Sequence, residues 1–146
     1  MADSETSKFQ PKTMGHISYA VKDIDKVVEA WSRLYGMGPW TYTENGGTDA
    51  KGRPWKIRMA FAYMGSVEIE LVQCIEGRIF QSRFLDTWGE GLHHIGLYVE
   101  DVDAEVAKLA AQGAKVFVHD PGNFAYLDGG GVGGGIFEIM KRPELR

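Results

Sequence analysis

The stretch GLHHIGLYVEDVD at residues 91–103 decides the fold, because a similar stretch, GHISYAVKDID, occurs at residues 15–25. Superposing the two places His16 on His94, and it also places Asp23 on Asp101. Each stretch has the pattern of an alternating strand that runs into the start of a helix. Such internal similarity indicates one supersecondary unit that is used twice.

The sequence around the first copy predicts one helix and four strands. The first strand spans residues 14–21, and Asp23 is placed to cap a helix that ends at Gly36 or Gly38. The other predicted elements are a strand at 40–43, a loop at 44–53 and a hairpin with strands at 55–63 and 67–73.

The second copy predicts the same order of elements. A strand at residues 92–99 leads to Asp101, which caps a helix that Gly113 ends. The further predicted elements are strands at 115–118, 122–127 and 136–140, with a run of glycines at 129–135 before the last one. Each half of the chain therefore has the order β-α-β-β-β.

These patterns predict an α+β fold in which two βαβββ modules form a curved mixed sheet around a groove. Helices cover one face of each four-stranded half, and the other face lines the groove. We expect a disordered tail at residues 1–13, a first module at 14–75, a linker helix at 76–91 and a second module at 92–142.

The composition limits which binding partners and which cellular compartment are expected. The 146-residue chain has a net charge of −4 with acidic and basic residues interspersed, which argues against nucleic acid or a membrane surface as a partner. Cys74 is the single cysteine, so no disulfide forms within the chain and a reducing, cytoplasmic location is expected. Exposed sheet edges predict a homodimer.

Four potential metal ligands lie at matching places in the two modules, on the face away from the helices. His16 and His94 lie on the first strands, and Glu70 and Glu138 lie on the last strands. A buried ionised carboxylate is unfavourable unless it is paired or bound to a metal. Two imidazoles and two carboxylates therefore suit one divalent ion, with little discrimination among Ni²⁺, Co²⁺, Zn²⁺, Mn²⁺ and Fe²⁺.

With these motifs, the chain resembles the vicinal oxygen chelate superfamily of glyoxalase I, methylmalonyl-CoA epimerase, extradiol dioxygenases and bleomycin-resistance proteins. The resemblance covers residues 14–142, and the segment FLDTWGEGLHHI at 84–95 resembles the epimerase-like branch. It implies paired βαβββ modules around a metal groove. The superfamily's ligand positions fall on His16, Glu70, His94 and Glu138.

The resemblance implies a metal-dependent lyase, isomerase or epimerase that moves a proton next to a carbonyl. The metal stabilises an enediolate or enolate of a small-molecule substrate, with Glu138 as the expected base and Glu70 as the second candidate. We expect Lys56 and Arg58 to lie on the groove face, where their charge suits an anionic substrate.

Two other functions stay open at this point. A ring-cleaving dioxygenase would use Fe²⁺ held by two histidines and one carboxylate, which His16, His94 and Glu138 can supply. A binding protein of the bleomycin-resistance type would hold a ligand in the groove without chemistry. The two remaining histidines are assigned no ligand role, since His93 is expected to cap or lie at the surface and His119 to be structural.

Overall fold

A computed structural model of the protein describes residues 13–142. Within that range it has eight strands and three helices. In chain order these are β1 (Thr13–Ala20), α1 (Ile24–Tyr35), β2 (Thr41–Thr48), β3 (Pro54–Met64), β4 (Val67–Glu76), α2 (Phe80–Trp88), β5 (Gly91–Val99), α3 (Val102–Ala111), β6 (Val116–Asp120), β7 (Phe124–Asp128) and β8 (Ile136–Lys141). The predicted tail lies outside the described residues, except for Thr13, which begins β1.

The strands β1 to β4 are hydrogen-bonded in the order β2-β3-β4-β1, and the strands β5 to β8 in the order β5-β8-β7-β6. In each repeat, the first strand pairs in parallel with the last strand: β1 with β4, and β5 with β8. The remaining pairs within each half are antiparallel. The two βαβββ repeats and the α+β fold class are therefore confirmed.

The described chain divides into two compact units, residues 16–93 and residues 94–142 together with 13–15. The boundaries predicted at 75/76 and 91/92 stay predictions. No helix in the described range is long and apolar enough to cross a membrane.

In the first unit, α1 begins and ends where the sequence predicts. The Asp23 side chain accepts a hydrogen bond from the Lys26 backbone N–H at 3.2 Å, and Gly36 ends the helix with a φ of 63°. The apolar stripe of α1 packs on the sheet. The core beneath it consists of Val21, Ile24, Ala60 and Leu71, with Tyr19, Val27, Val28, Trp31 and Trp40 packed around it.

The second unit repeats this arrangement around α3. The Asp101 side chain accepts from the Ala104 backbone N–H at 3.0 Å, as Asp23 does in the first unit. Val102 and Val106 of α3 are buried on the sheet. The rest of this core is Val99, Ala125, Leu127 and Ile139.

The loop predicted at residues 44–53 is wrong over its first half, because β2 continues to Thr48. Asn45, Gly46 and Gly47 have the composition of a turn, yet each pairs with a residue of β3 in an antiparallel ladder. Ladder pairing satisfies the backbone groups and outweighs the local preference. The turn itself is shorter, and the Asp49 carboxylate closes it by accepting from the backbone N–H groups of Lys51 and Arg53.

Candidate metal centre

The first unit places His16 and Glu70 on neighbouring strands. β1 runs parallel to β4, and the register sets Ser18 opposite Glu70. Strand side chains alternate, so these residues lie on the face opposite Leu71, which packs beneath α1. His16 is only 1% exposed and Ser18 is fully buried. The Ser18 hydroxyl donates a hydrogen bond of 2.8 Å to Glu70 Oε1.

The second unit places His94 and Glu138 in the matching positions on β5 and β8. Both are buried, with 1% of His94 and 7% of Glu138 exposed. His94 Nε2 lies 2.9 Å from Glu138 Oε2. The register sets Gly96 opposite Glu138 on one side and Tyr126 opposite it on the other. The Tyr126 ring also makes an edge contact with the His94 ring, with centroids 5.0 Å apart.

Three of the four predicted ligands form a group that can hold a metal ion. His16, Glu70 and His94 each offer one ligand atom, and these atoms lie within 4.8 Å of one another. Glu138 is outside this group and contacts it through His94. Two imidazole nitrogens and a carboxylate oxygen are suitable donors for Zn²⁺, Fe²⁺, Ni²⁺, Co²⁺ or Mn²⁺. The residues present therefore fit a divalent ion.

The prediction that Lys56 and Arg58 lie on the face of the candidate site is wrong. Arg58 Nη1 lies 3.0 Å from Asp25 Oδ1 of α1, so its side chain is on the helix side of the sheet. Lys56 Nζ lies 3.2 Å from Glu44 Oε2, and the register places Glu44 opposite Arg58. The wrong prediction for these two side chains has its cause in the small residues of β3.

Ala60 and Ala62 are the β3 residues that are buried on the helix side, with 0% and 2% exposed. The bulky residues Ile57, Met59 and Phe61 alternate with them and lie on the other face. Sequence patterns favour bulky residues as the core, so the two faces of this strand were predicted the wrong way round. The face of the candidate site in the first unit is consequently apolar along β3, and Phe61 lies opposite Glu70.

The Arg58–Asp25 pair has its own electrostatic effect on the helix side. The hydrogen bond from Arg58 holds the pKa of the Asp25 carboxyl below its usual value and raises the pKa of the guanidinium. The Arg58 guanidinium also lies 5.0 Å from the centre of the Tyr42 ring. These contacts indicate that Arg58 helps to hold α1 against the sheet.

The two remaining histidines have other surroundings. The expectation that His93 caps or lies at the surface is wrong, because it is 4% exposed. Its ring packs edge-on against Phe80 and Phe84 of α2, with both centroid distances 5.3 Å. His119 Nε2 lies 2.8 Å from Asp103 Oδ1, which agrees with a structural role.

A cavity of about 330 Å³ in the second unit lies on the other face of the sheet. Its lining includes Leu109 of α3 and Ile139 of β8, so it is on the helix side rather than beside Glu138. The chemistry predicted from the histidines and glutamates therefore does not use this cavity.

Comparison with protein families identifies the class. A family model described as the Glyoxalase/Bleomycin resistance protein/Dioxygenase superfamily matches residues 15–129. This match spans more than half of the chain, so the protein belongs to that superfamily, as its resemblance to vicinal oxygen chelate proteins predicts. A search of curated proteins finds no match.

Solved structures with the same fold include methylmalonyl-CoA epimerases. A variant of the Streptomyces coelicolor enzyme in complex with 2-nitronate-propionyl-CoA has a TM-score of 0.70 and 21% identity, covering 92% of this chain and 99% of that one. A methylmalonyl-CoA epimerase in complex with methylmalonyl-CoA and NH4+ also has a TM-score of 0.70 and 21% identity, covering 92% and 96%. The Mycobacterium tuberculosis enzyme gives 0.67 and 19%, covering 97% and 98%. At these identities the likeness establishes the fold.

Proposed function

We propose that this protein is a metal-dependent enzyme that transfers a proton at a carbon next to a carbonyl, as an epimerase or a glyoxalase-type lyase or isomerase. The observation that carries the proposal is the buried group of His16, Glu70 and His94, with Glu138 bonded to His94. The fold alone would not select a reaction, because this superfamily hosts several.

In this proposal, His16, Glu70, His94 and Glu138 hold one divalent ion, which is Ni²⁺, Co²⁺, Zn²⁺, Mn²⁺ or Fe²⁺. When bound, such an ion acts as a Lewis acid toward an oxygen of the substrate. The two histidines lie on β1 and β5, so regular strands hold their ligand atoms in place.

Glu138 is the proposed base, and Glu70 is the second candidate. A carboxylate removes the proton from the carbon and, in an isomerase, returns it to the neighbouring carbon. In an epimerase a second proton donor must protonate the opposite face of the same carbon. Glu138 is 7% exposed, which limits the access of bulk water to the proton in transit. His94 contacts its Oε2 and helps to set the orientation of the carboxylate.

The proposed substrate is a small, anionic molecule, and an acyl-CoA thioester is the first class to test. Two structures with the same fold contain methylmalonyl-CoA or 2-nitronate-propionyl-CoA. Lys56 and Arg58 lie on the other face of the sheet and bring no positive charge to the site. We therefore propose that His16, Glu70, His94 and Glu138 would hold the divalent ion whose positive charge suits the substrate's oxygens.

Solvent exchange provides the test. Methylmalonyl-CoA is incubated in D2O with the protein and each of the five divalent ions in turn. Proton NMR follows the loss of the signal of the hydrogen on the carbon between the thioester and the carboxylate. We expect metal-dependent exchange well above a sample that contains metal and substrate alone. A panel of adducts between 2-oxoaldehydes and thiols covers the glyoxalase-type reaction. Exchange no faster than in Glu138→Gln for every substrate would contradict the proposal.

A ring-cleaving dioxygenase is the second candidate, because the group itself consists of two histidines and one carboxylate. That donor set is typical of non-haem Fe²⁺ oxygenases. Oxygen consumption with Fe²⁺ and a catechol, without solvent exchange, would favour this function over proton transfer.

We also propose that the enzyme is a cytoplasmic homodimer. Every residue of β2 is exposed, and β2 is an edge strand that pairs on one side with β3. The backbone groups on the outer side of an edge strand favour pairing with, or covering by, a second copy. Light scattering coupled to size exclusion is expected to give twice the chain mass of 16.2 kDa.

A further inference from the structure

We propose that Ser18 is a positioning residue that fixes Glu70 as a metal ligand. This inference rests on the proposed function, since it requires Glu70 to bind an ion. It adds a residue outside the predicted ligand set, and it explains why the two glutamates of the site can have different roles.

The Ser18 hydroxyl is buried and bonded to Glu70. Ser18 is fully buried, and its Oγ donates to Glu70 Oε1 at 2.8 Å. The bond joins two strands whose register places the residues directly opposite each other. Ser18 is also two residues after His16 on β1, so both side chains lie on the same face.

The hydrogen bond and metal ligation are compatible at one carboxylate. An ionised carboxylate has two oxygens with about four lone-pair sites, so Glu70 can accept from Ser18 and still bind a cation. Partners of this kind hold a ligand in its binding orientation before the ion arrives. Their removal typically weakens metal binding by about 10- to 100-fold.

The matching position of the second repeat has no side chain. Gly96 occupies the place of Ser18 in the second unit and lies opposite Glu138. A glycine has no side chain to donate, and Glu138 Oε2 lies 2.9 Å from His94 Nε2. We therefore infer that Ser18 fixes the orientation of Glu70 as a ligand, while Glu138 is the ligand that also serves as the proposed base.

Cobalt titration of Ser18→Ala tests the inference. Co²⁺ is added to the wild-type protein and the variant, and the visible absorption of the bound ion gives its affinity and reports its ligand field. We expect the affinity of Ser18→Ala to fall about 10- to 100-fold, with a changed spectrum. Thermal unfolding without metal confirms that the variant folds.

Ser82→Ala is the matched control. Ser82 is also buried and in the first unit, and its Oγ accepts from the Ile79 backbone N–H at 2.9 Å in the first turn of α2. Losing that bond is expected to lower the melting temperature without changing Co²⁺ affinity. A merely structural role for Ser18 would give the same result as Ser82→Ala.

The outcomes separate the inference from the proposed function. Wild-type affinity in Ser18→Ala would overturn the role of Ser18 and leave the metal centre intact. Absence of Co²⁺ binding by the wild type would overturn both. In a Glu70→Ala background, the further change Ser18→Ala is expected to have no effect on affinity, because the two side chains act as one unit. An undiminished effect there would also overturn the inference.

Discussion

The two repeats have nearly the same scaffold and differently built surroundings for their glutamates. Asp23 and Asp101 cap equivalent helices. Glu70 lies between Ser18 and Phe61 in the ladder, whereas Glu138 lies between a glycine and a tyrosine. Positions that determine the fold therefore match between the repeats, while positions beside the candidate metal ligands differ.

The difference between the glutamates gives the largest expected effect. Glu138→Gln is expected to lower the rate of solvent exchange about 10²- to 10⁴-fold, because an amide does not accept the proton. Glu70→Gln keeps an amide oxygen that can serve as a ligand, so its rate should fall much less. Exchange rates of both variants in D2O check this order. The reverse order would place the base on Glu70.

Equivalent core residues are expected to give the next largest effect and to make the two repeats look alike. Leu71 and Ile139 follow the two glutamates in sequence and are 0% and 1% exposed. Truncating either residue to alanine should lower the free energy of unfolding by about 2–5 kcal/mol through lost burial and a residual cavity. Urea unfolding measures both variants. A loss in one repeat only would contradict the matched scaffold.

The helix caps extend the comparison at a smaller scale. Asp23→Ala and Asp101→Ala each remove one side-chain acceptor from the first turn of a helix. Each variant should lose about 1 kcal/mol of stability in urea unfolding. Asparagine at the same positions keeps the acceptor and serves as the control, so Asp23→Asn should stay close to the wild type.

The smallest expected effect concerns Asp25 and Asp103, which also occupy equivalent positions. The Arg58 hydrogen bond lowers the pKa of Asp25, and the Gly122 N–H followed by His119 lowers the pKa of Asp103. A carboxyl with a lowered pKa in the folded state stabilises the fold above its unfolded pKa, near 3.8. That stabilisation is lost as the pH falls through the folded value.

We therefore expect Asp25→Asn and Asp103→Asn to melt slightly below the wild type at neutral pH. The gap should narrow as the pH falls below about 4, where the wild-type carboxyls bind protons. Melting temperatures measured across this range check the sign. A gap that widens in acid would contradict the lowered pKa values.

The sequence predicts most of the scaffold because the signals that define it are local. Asp23 precedes an apolar stripe at helical spacing, and Gly36 follows it, so α1 needs no tertiary information. Because of the internal repeat, the same prediction applies to α3. β2 was predicted too short, because the pairing of its Asn-Gly-Gly segment depends on β3 rather than on local preference.

The candidate site was predictable in part. The matched positions of His16 and His94 identify both imidazoles, and alternation places Glu70 and Glu138 on the same face as them. Arg58 was misplaced because small alanines form the buried side of β3. Ser18 was missed as a partner of Glu70, since only the parallel register of β1 and β4 sets the two opposite each other.

The most direct test of the metal centre is its metal content. Wild type, His94→Ala and His119→Ala are purified without a histidine tag or chelators, and mass spectrometry measures bound divalent ions. We expect about one equivalent per chain in the wild type and its loss in His94→Ala. His119→Ala should keep the ion, because the His119 ring contacts Asp103 and is not one of the proposed ligands. No ion in the wild type, even after adding each of the five metals, would contradict the proposed enzyme.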